Sequence, residues 1–156
     1  MVGIMTWDRR EAEQPWVRWI RSALAAGERV PDHRHDFAEF NWVLEGEVVH
    51  RRLGGEDEVL RPGACRFFAP GDGHRLSGGD GGGALISASL PGPLFAELHV
   101  RYAGSAGWPW LADGEPRRWQ LEPTGIEALQ GIIADTGMGD HCAGGCRTTA
   151  PGARRL

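Results

Sequence analysis

Between residues 16 and 90 the chain is a succession of short apolar and β-branched runs cut by Gly and Pro. Runs 16–25, 38–45, 47–53, 58–61, 65–69 and 84–90 have strand character. Gly46, Gly54-Gly55, Pro62-Gly63, Pro70-Gly71 and the glycine-rich run 78–83 separate them. Short strands at near-regular spacing with Gly/Pro turns predict an antiparallel sandwich or barrel, a mainly β fold. Helical periodicity arrives only afterwards. Pro93 opens a helix running to about Tyr102 with Leu94, Leu98 and Arg101 on one face. After Pro123 and the candidate cap Thr124, Ile126, Leu129, Ile132 and Ile133 recur at helical spacing. Segment 108–119, with Trp108, Trp110, Trp119 and two prolines, reads as an irregular loop packed on the barrel.

At 156 residues and 17.0 kDa the chain has room for one core. The organisation is read as an N-terminal arm 1–15, a β-barrel 16–92, a helical extension 93–136 whose helices are candidates for dimerisation, and an irregular tail 137–156. Every basic residue is Arg, and the net charge of −4 gives no broad basic face for nucleic acid. No apolar stretch approaches the ~18 residues of a membrane span, and no basic start followed by an apolar run marks a secretory leader, so the expected location is the cytoplasm. Three cysteines are an odd number for a disulfide framework. His141, Cys142 and Cys146 form an H-C-x3-C cluster without the second pair a structural zinc site wants.

The chemistry concentrates after Gly27. His33 and His35 are two apart, so on a strand they point the same way, and Glu39 keeps that parity if the strand runs on unbroken. His74, after the turn Pro70-Gly71-Asp72-Gly73, is placed to return across a closed barrel and face them. Three imidazole nitrogens and a carboxylate oxygen suit a divalent transition metal, Zn, Fe, Mn, Ni or Co, with coordination positions left open. The plain alternative is a polar cluster whose members bond each other and water. Asn41 and Val43 share the parity of Glu39 and are candidate ligand contacts, Asn41 being equally explained as a satisfied buried amide. Phe40, Trp42 and Leu44 face the other way, with Trp42 read as packing. His50 and His99 fall outside the motif parity and are given no role.

Residues 27–46 resemble the first cupin motif, G-x5-H-x-H-x3-E-x6-G, at every fixed position. Residues 63–74 resemble the second, G-x5-P-x-G-x2-H. Ala69 stands where the motif has Pro, with Pro70 one step late, and Gly78 stands where it ends on Asn. The resemblance implies a cupin fold, a double-stranded β-helix or jelly-roll barrel followed by short C-terminal helices, with His33, His35, Glu39 and His74 as metal ligands. A narrower likeness is to the N-terminal effector-binding and dimerisation domain of AraC-type transcription regulators. His33-Arg34-His35-Asp36-Phe37-Ala38-Glu39 is similar to that family's H-x-H-D-F-x-E run. Leu60-Arg61-Pro62-Gly63 and Pro70-Gly71-Asp72-Gly73-His74 are similar to its L-x-P-G and P-G-x-x-H turns. This likeness spans roughly residues 16–134. It implies a homodimeric sensor of a small polar metabolite such as a sugar, without the helix-turn-helix half and so without direct nucleic-acid binding by this chain. The alternative is a stand-alone metal-dependent cupin enzyme, a dioxygenase, an isomerase or similar. It lacks a clear inward-pointing acid/base beyond the ligands, which favours binding over turnover.

Overall fold

The computed structural model describes residues 3–5, 17–105, 108, 118–135 and 140–142. In chain order these form β1 (Gly3–Met5), β2 (Arg18–Leu24), β3 (Arg29–His35), β4 (Ala38–Arg52), β5 (Asp57–Leu60), β6 (Ala64–Phe68), β7 (Gly73–Leu90), α1 (Gly92–Tyr102), β8 (Trp119–Gln120), α2 (Pro123–Asp135) and β9 (Asp140–Cys142). The mainly β character and the two short helices after the sheet are as the sequence predicts. Neither helix is long and apolar enough to cross a membrane.

All nine strands belong to one rolled sheet whose pairing path runs β1-β3-β7-β4-β6-β8, with β2 against β7 and β5 against β4. Among the described residues the sheet does not close on itself, which corrects the expectation of a closed barrel. Its frame is the long antiparallel pair β4 and β7, which runs from Ala38 opposite Leu90 to Arg52 opposite His74 with two register shifts on the way. The early half of β7 also pairs with β3 and its late half with β2, so one bent strand serves both layers.

The bend replaces a turn that the sequence suggests at residues 78–83. Glycine is needed there because backbones approach too closely for side chains. A Cβ on Gly83 would lie 2.5 Å from the Glu47 carbonyl oxygen, and one on Gly78 would run into the Ala25 carbonyl. Gly81, in the same run, has nothing among the described residues within 4 Å of its would-be Cβ. Gly83→Ala is therefore expected to destabilise the protein by about 1–3 kcal/mol. Gly81→Ala should be neutral or slightly stabilising, and equal thermal midpoints for the two variants would refute this account of the bend.

Three buried clusters follow from strand alternation. Val43, Val48, Leu60, Leu76, Leu85 and Leu24 fill the floor of the roll. On the outer face, Phe67, Leu90 and Phe40 pack under Phe95 of α1, and Leu44, Ile86 and Trp19 pack under Ile133 of α2. With helices outside and side chains inside, β7 is covered on both faces. That is why residues 84–90 are buried without interruption. Trp42 lies on the outer face, its ring stacked on Phe40 and Trp19 at 5.3 and 6.1 Å.

Trp108 packs on Phe95, with ring centroids 5.7 Å apart, and helps line an apolar cavity of about 330 Å³ beside α1. Trp110 lies outside the described residues. In the region read as an irregular tail, β9 runs parallel to β2. It carries His141 and Cys142, while Cys146 lies outside the described residues.

Candidate metal centre

His33 and His35 leave β3 toward the interior of the roll, and His74 enters from β7, directly opposite His33 in the register. All three are buried. One nitrogen from each lies within 4.8 Å of the others, and the His35 and His74 Nε2 atoms are 3.1 Å apart. His74 needs no closed barrel to reach this place, because its strand is the immediate neighbour of β3.

The outer nitrogens orient two of the rings. His33 Nδ1 lies 2.8 Å from the Pro31 carbonyl oxygen, and His35 Nδ1 lies 3.0 Å from that of Phe37. A carbonyl only accepts, so both rings carry their proton on Nδ1 and turn an Nε2 lone pair inward. Two inward lone pairs 3.1 Å apart repel unless a proton or a cation lies between them. That separation is what two ligand nitrogens show about one ion with bonds of about 2.0–2.1 Å. The donor set therefore fits a divalent transition metal.

Glu39 joins from the side. The strand breaks at Asp36 and Phe37, so Glu39 does not inherit the parity of the histidines. It reaches the cluster through the register of β4, opposite Ser89 and Phe68. Its Oε2 is 3.5 Å from His35 Nε2 and 3.7 Å from His74 Nε2, outside the tight three-histidine group. Asn41 is buried beneath it. The Asn41 amide donates to Glu39 Oε2 at 3.1 Å and accepts from Ser87 Oγ at 2.6 Å, which holds the carboxylate in place. Val43 also faces inward, but into the apolar floor and away from the histidines.

The turn before His74 is defined despite its departure from the motif. Asp72 accepts from the Ala69 N–H at 3.0 Å and from Arg52 at 3.1 Å, and the Gly71 N–H donates to the His35 carbonyl at 2.8 Å. The loop that delivers His74 is thus tied to the strand that delivers His35.

Electrostatics separate the histidines. Burial holds the His74 pKa far below the usual imidazole range, with His33 and His35 adding to the effect. Burial lowers the His35 pKa, but the hydrogen bond and charge of Glu39, the Phe37 carbonyl and the charge of Asp72 together outweigh it and raise the pKa.

His50 is the residue that sequence reasoning missed. It is buried inside the roll, its ring 5.8 Å from His74 and 5.0 Å from Phe68. Parity excluded it only on the assumption of a regular strand. β4 carries register shifts between Val43 and Glu45 and between Gly46 and Val48. These turn Val48 and His50 onto the face that Glu39, Asn41 and Val43 occupy earlier. Gly46, at φ +64°, was the available signal, since a glycine inside a strand run marks a bulge. Burial pushes the His50 pKa down to about 4, so its ring is neutral near pH 7.

Residues 20–85 match the family model of the cupin domain (Cupin_2). No curated protein matches the sequence significantly. Among solved structures, the chain is similar to an RmlC-like cupin from Shewanella frigidimarina at 25% identity, over 49% of this chain and 68% of that one, with a TM-score of 0.45. It is similar to a predicted oxalate decarboxylase from Thermotoga maritima at 25% identity, over 53% and 73%, with a TM-score of 0.47. Its likeness to apo ToxT from Vibrio cholerae has a TM-score of 0.57 at 11% identity over 76% of this chain, which spans 47% of that protein and shares its fold alone. The matched residues contain the histidine cluster, all of β4 and β7 as far as Leu85, and over them the chain has a cupin fold.

Proposed function

We propose that this cupin domain is a small-molecule sensor of the AraC-regulator kind, binding a small polar metabolite such as a sugar beside a divalent metal held by His33, His35, Glu39 and His74. The observation that carries the reading is the convergence of three buried histidines, two with their outer nitrogens on backbone carbonyls, next to the polar pair Asn41 and Ser87. When bound, the metal supplies a Lewis-acidic anchor for a ligand oxygen. The chain's residues supply the rest: Asn41 and Ser87 hold Glu39 in place, and the apolar floor excludes water below.

The described part of the arm, β1, lies along β3 with Gly3 opposite His33 and Met5 opposite His35. A ligand that shifts these histidines thereby acts on the arm. Val100 on α1 and Ile132 on α2 are exposed apolar residues suited to a homodimer contact. Metal-loaded protein is expected to gain thermal stability with a polyol or sugar in a screen of polar metabolites, and to scatter light as a dimer. A screen without any stabilising ligand would count against sensing.

One observation favours the second reading, a metal-dependent enzyme acting on a small polar metabolite. His50 is an inward, neutral imidazole beyond the ligands, the kind of group that acid–base work needs. Turnover of a stabilising compound by the metal-loaded protein would decide for it.

A further inference from the structure

Metal-bound histidines are oriented by whatever accepts the proton on their second ring nitrogen. His33 and His35 have backbone carbonyls for this purpose, but His74 does not. Among the described residues its buried Nδ1 has no hydrogen-bond partner. Two more such atoms lie next to it, Nδ1 and Nε2 of His50, a residue only 3% exposed. Three unpartnered nitrogens on neighbouring rings are a local exception to the rule that buried polar groups are paired.

The rings are 5.8 Å apart between centroids, at an interplanar angle of 57°. Across that separation of centroids, ring nitrogens that face each other are at the limit of a direct bond, whereas nitrogens turned to one side of the line can share one water. Phe68 lies against both rings, 4.0 Å from His74 and 5.0 Å from His50, and walls the place off. On the far side of His50, Glu58 Oε2 is 3.9 Å from Nδ1. Glu58 is itself held by the Arg66 guanidinium, whose Nε donates to it at 3.0 Å. The polarity is consistent along this row. A water between the rings would accept from His74 Nδ1–H and donate to His50 Nε2, with His50 Nδ1 on the side of the Glu58 carboxylate.

We propose that His50 is the positioning residue of His74. Through one buried water it accepts the His74 Nδ1 proton, keeps that ring in the Nδ1–H form and aims its Nε2 lone pair at the ion. This rests on the reading of His33, His35 and His74 as ligands of one ion.

The test is zinc binding by the full chain against a competing chelator, for the unaltered protein, His50→Phe, His50→Gln and His74→Ala. His50→Phe should bind about 10–100-fold more weakly. His50→Gln, which keeps a donor and an acceptor, should recover most of the loss. Nitrogen-15 spectra of the zinc-loaded unaltered protein should show His74 bound through Nε2 with a slowly exchanging Nδ1 proton, a readout that does not depend on a variant folding. Zinc affinity unchanged in His50→Phe, or His74 bound through Nδ1, overturns the role of His50 and leaves the metal site standing. An unaltered protein that takes up no zinc, or His74→Ala that takes it up equally well, overturns the site and this role with it.

Discussion

Protein carrying His33→Ala together with His74→Ala is expected to retain less than about one-tenth of the transition metal found in the unaltered protein, which should hold close to one ion per chain. Removing even an outer partner of a metal ligand costs about 10–100-fold in affinity, and removing two of three buried nitrogens costs more. A second effect goes with it. An ion that binds only the folded state stabilises it by about 2.7 kcal/mol at a hundred times its Kd. Added metal should therefore raise the thermal midpoint of the unaltered protein and leave that of the double variant where it is. Elemental analysis of the two purified proteins checks the first expectation and thermal melts check the second. Equal metal content in the two proteins would remove the site from these residues.

The metal-free protein is expected to lose stability steeply as the pH falls below about 6.5. His50 and His74 are held neutral by burial, with folded-state pKa values below the ordinary 6.5, that of His50 near 4. In acid the unfolded chain takes up protons at these rings that the folded chain refuses. Their contribution to stability is thus complete above the unfolded pKa and declines as pH drops through the window below it. For His50 alone the loss between pH 6.5 and 4.5 is about 2–3 kcal/mol, and His74 acts in the same direction. His35 has the opposite sign. Its raised pKa gives stability that is complete below 6.5 and lost as the pH rises through the folded value, so it does not oppose the acid loss. Asp57 and Glu58, whose carboxyls arginines hold below their ordinary values, act in the same direction, their contribution starting to fall at the acid end of this window as the unfolded chain's carboxylates take up protons. Urea unfolding of the metal-free protein at pH 7 and 4.5 gives the slope, and His50→Phe should flatten it by about one proton. A metal-free protein equally stable at both pH values would contradict the buried neutral histidines.

Much of the fold was legible because its signals are local. Alternation put Phe40, Trp42 and Leu44 outside and Glu39, Asn41 and Val43 inside, which depends only on the two-residue period of a strand. Pro93 and the isoleucine spacing after Pro123 located both helices to within a residue or two. The limit of this reasoning is visible on β4. Parity was carried from Glu39 to His50 as though the strand were regular, and two register shifts around Gly46 reversed it. Glu39 shares the parity of His35 only on an unbroken strand, and the strand is interrupted at Asp36 and Phe37, so that long-range pairing of β4 brings the carboxylate to the cluster instead.

By itself the sequence determined the strand-rich class, the terminal helices and the identity of the residues that meet at the centre, since ligand chemistry and short spacings are properties of neighbours along the chain. The tertiary structure alone decided that the sheet stays open, that residues 78–83 bend within one strand rather than turn between two, and that Asn41 supports Glu39. It also decided that His50 belongs beside His74. The physical reason is that a strand's face has meaning only relative to its partner's register. That register is set by close backbone contacts, such as those of Gly78 with Ala25 and Gly83 with Glu47, between residues far apart in sequence.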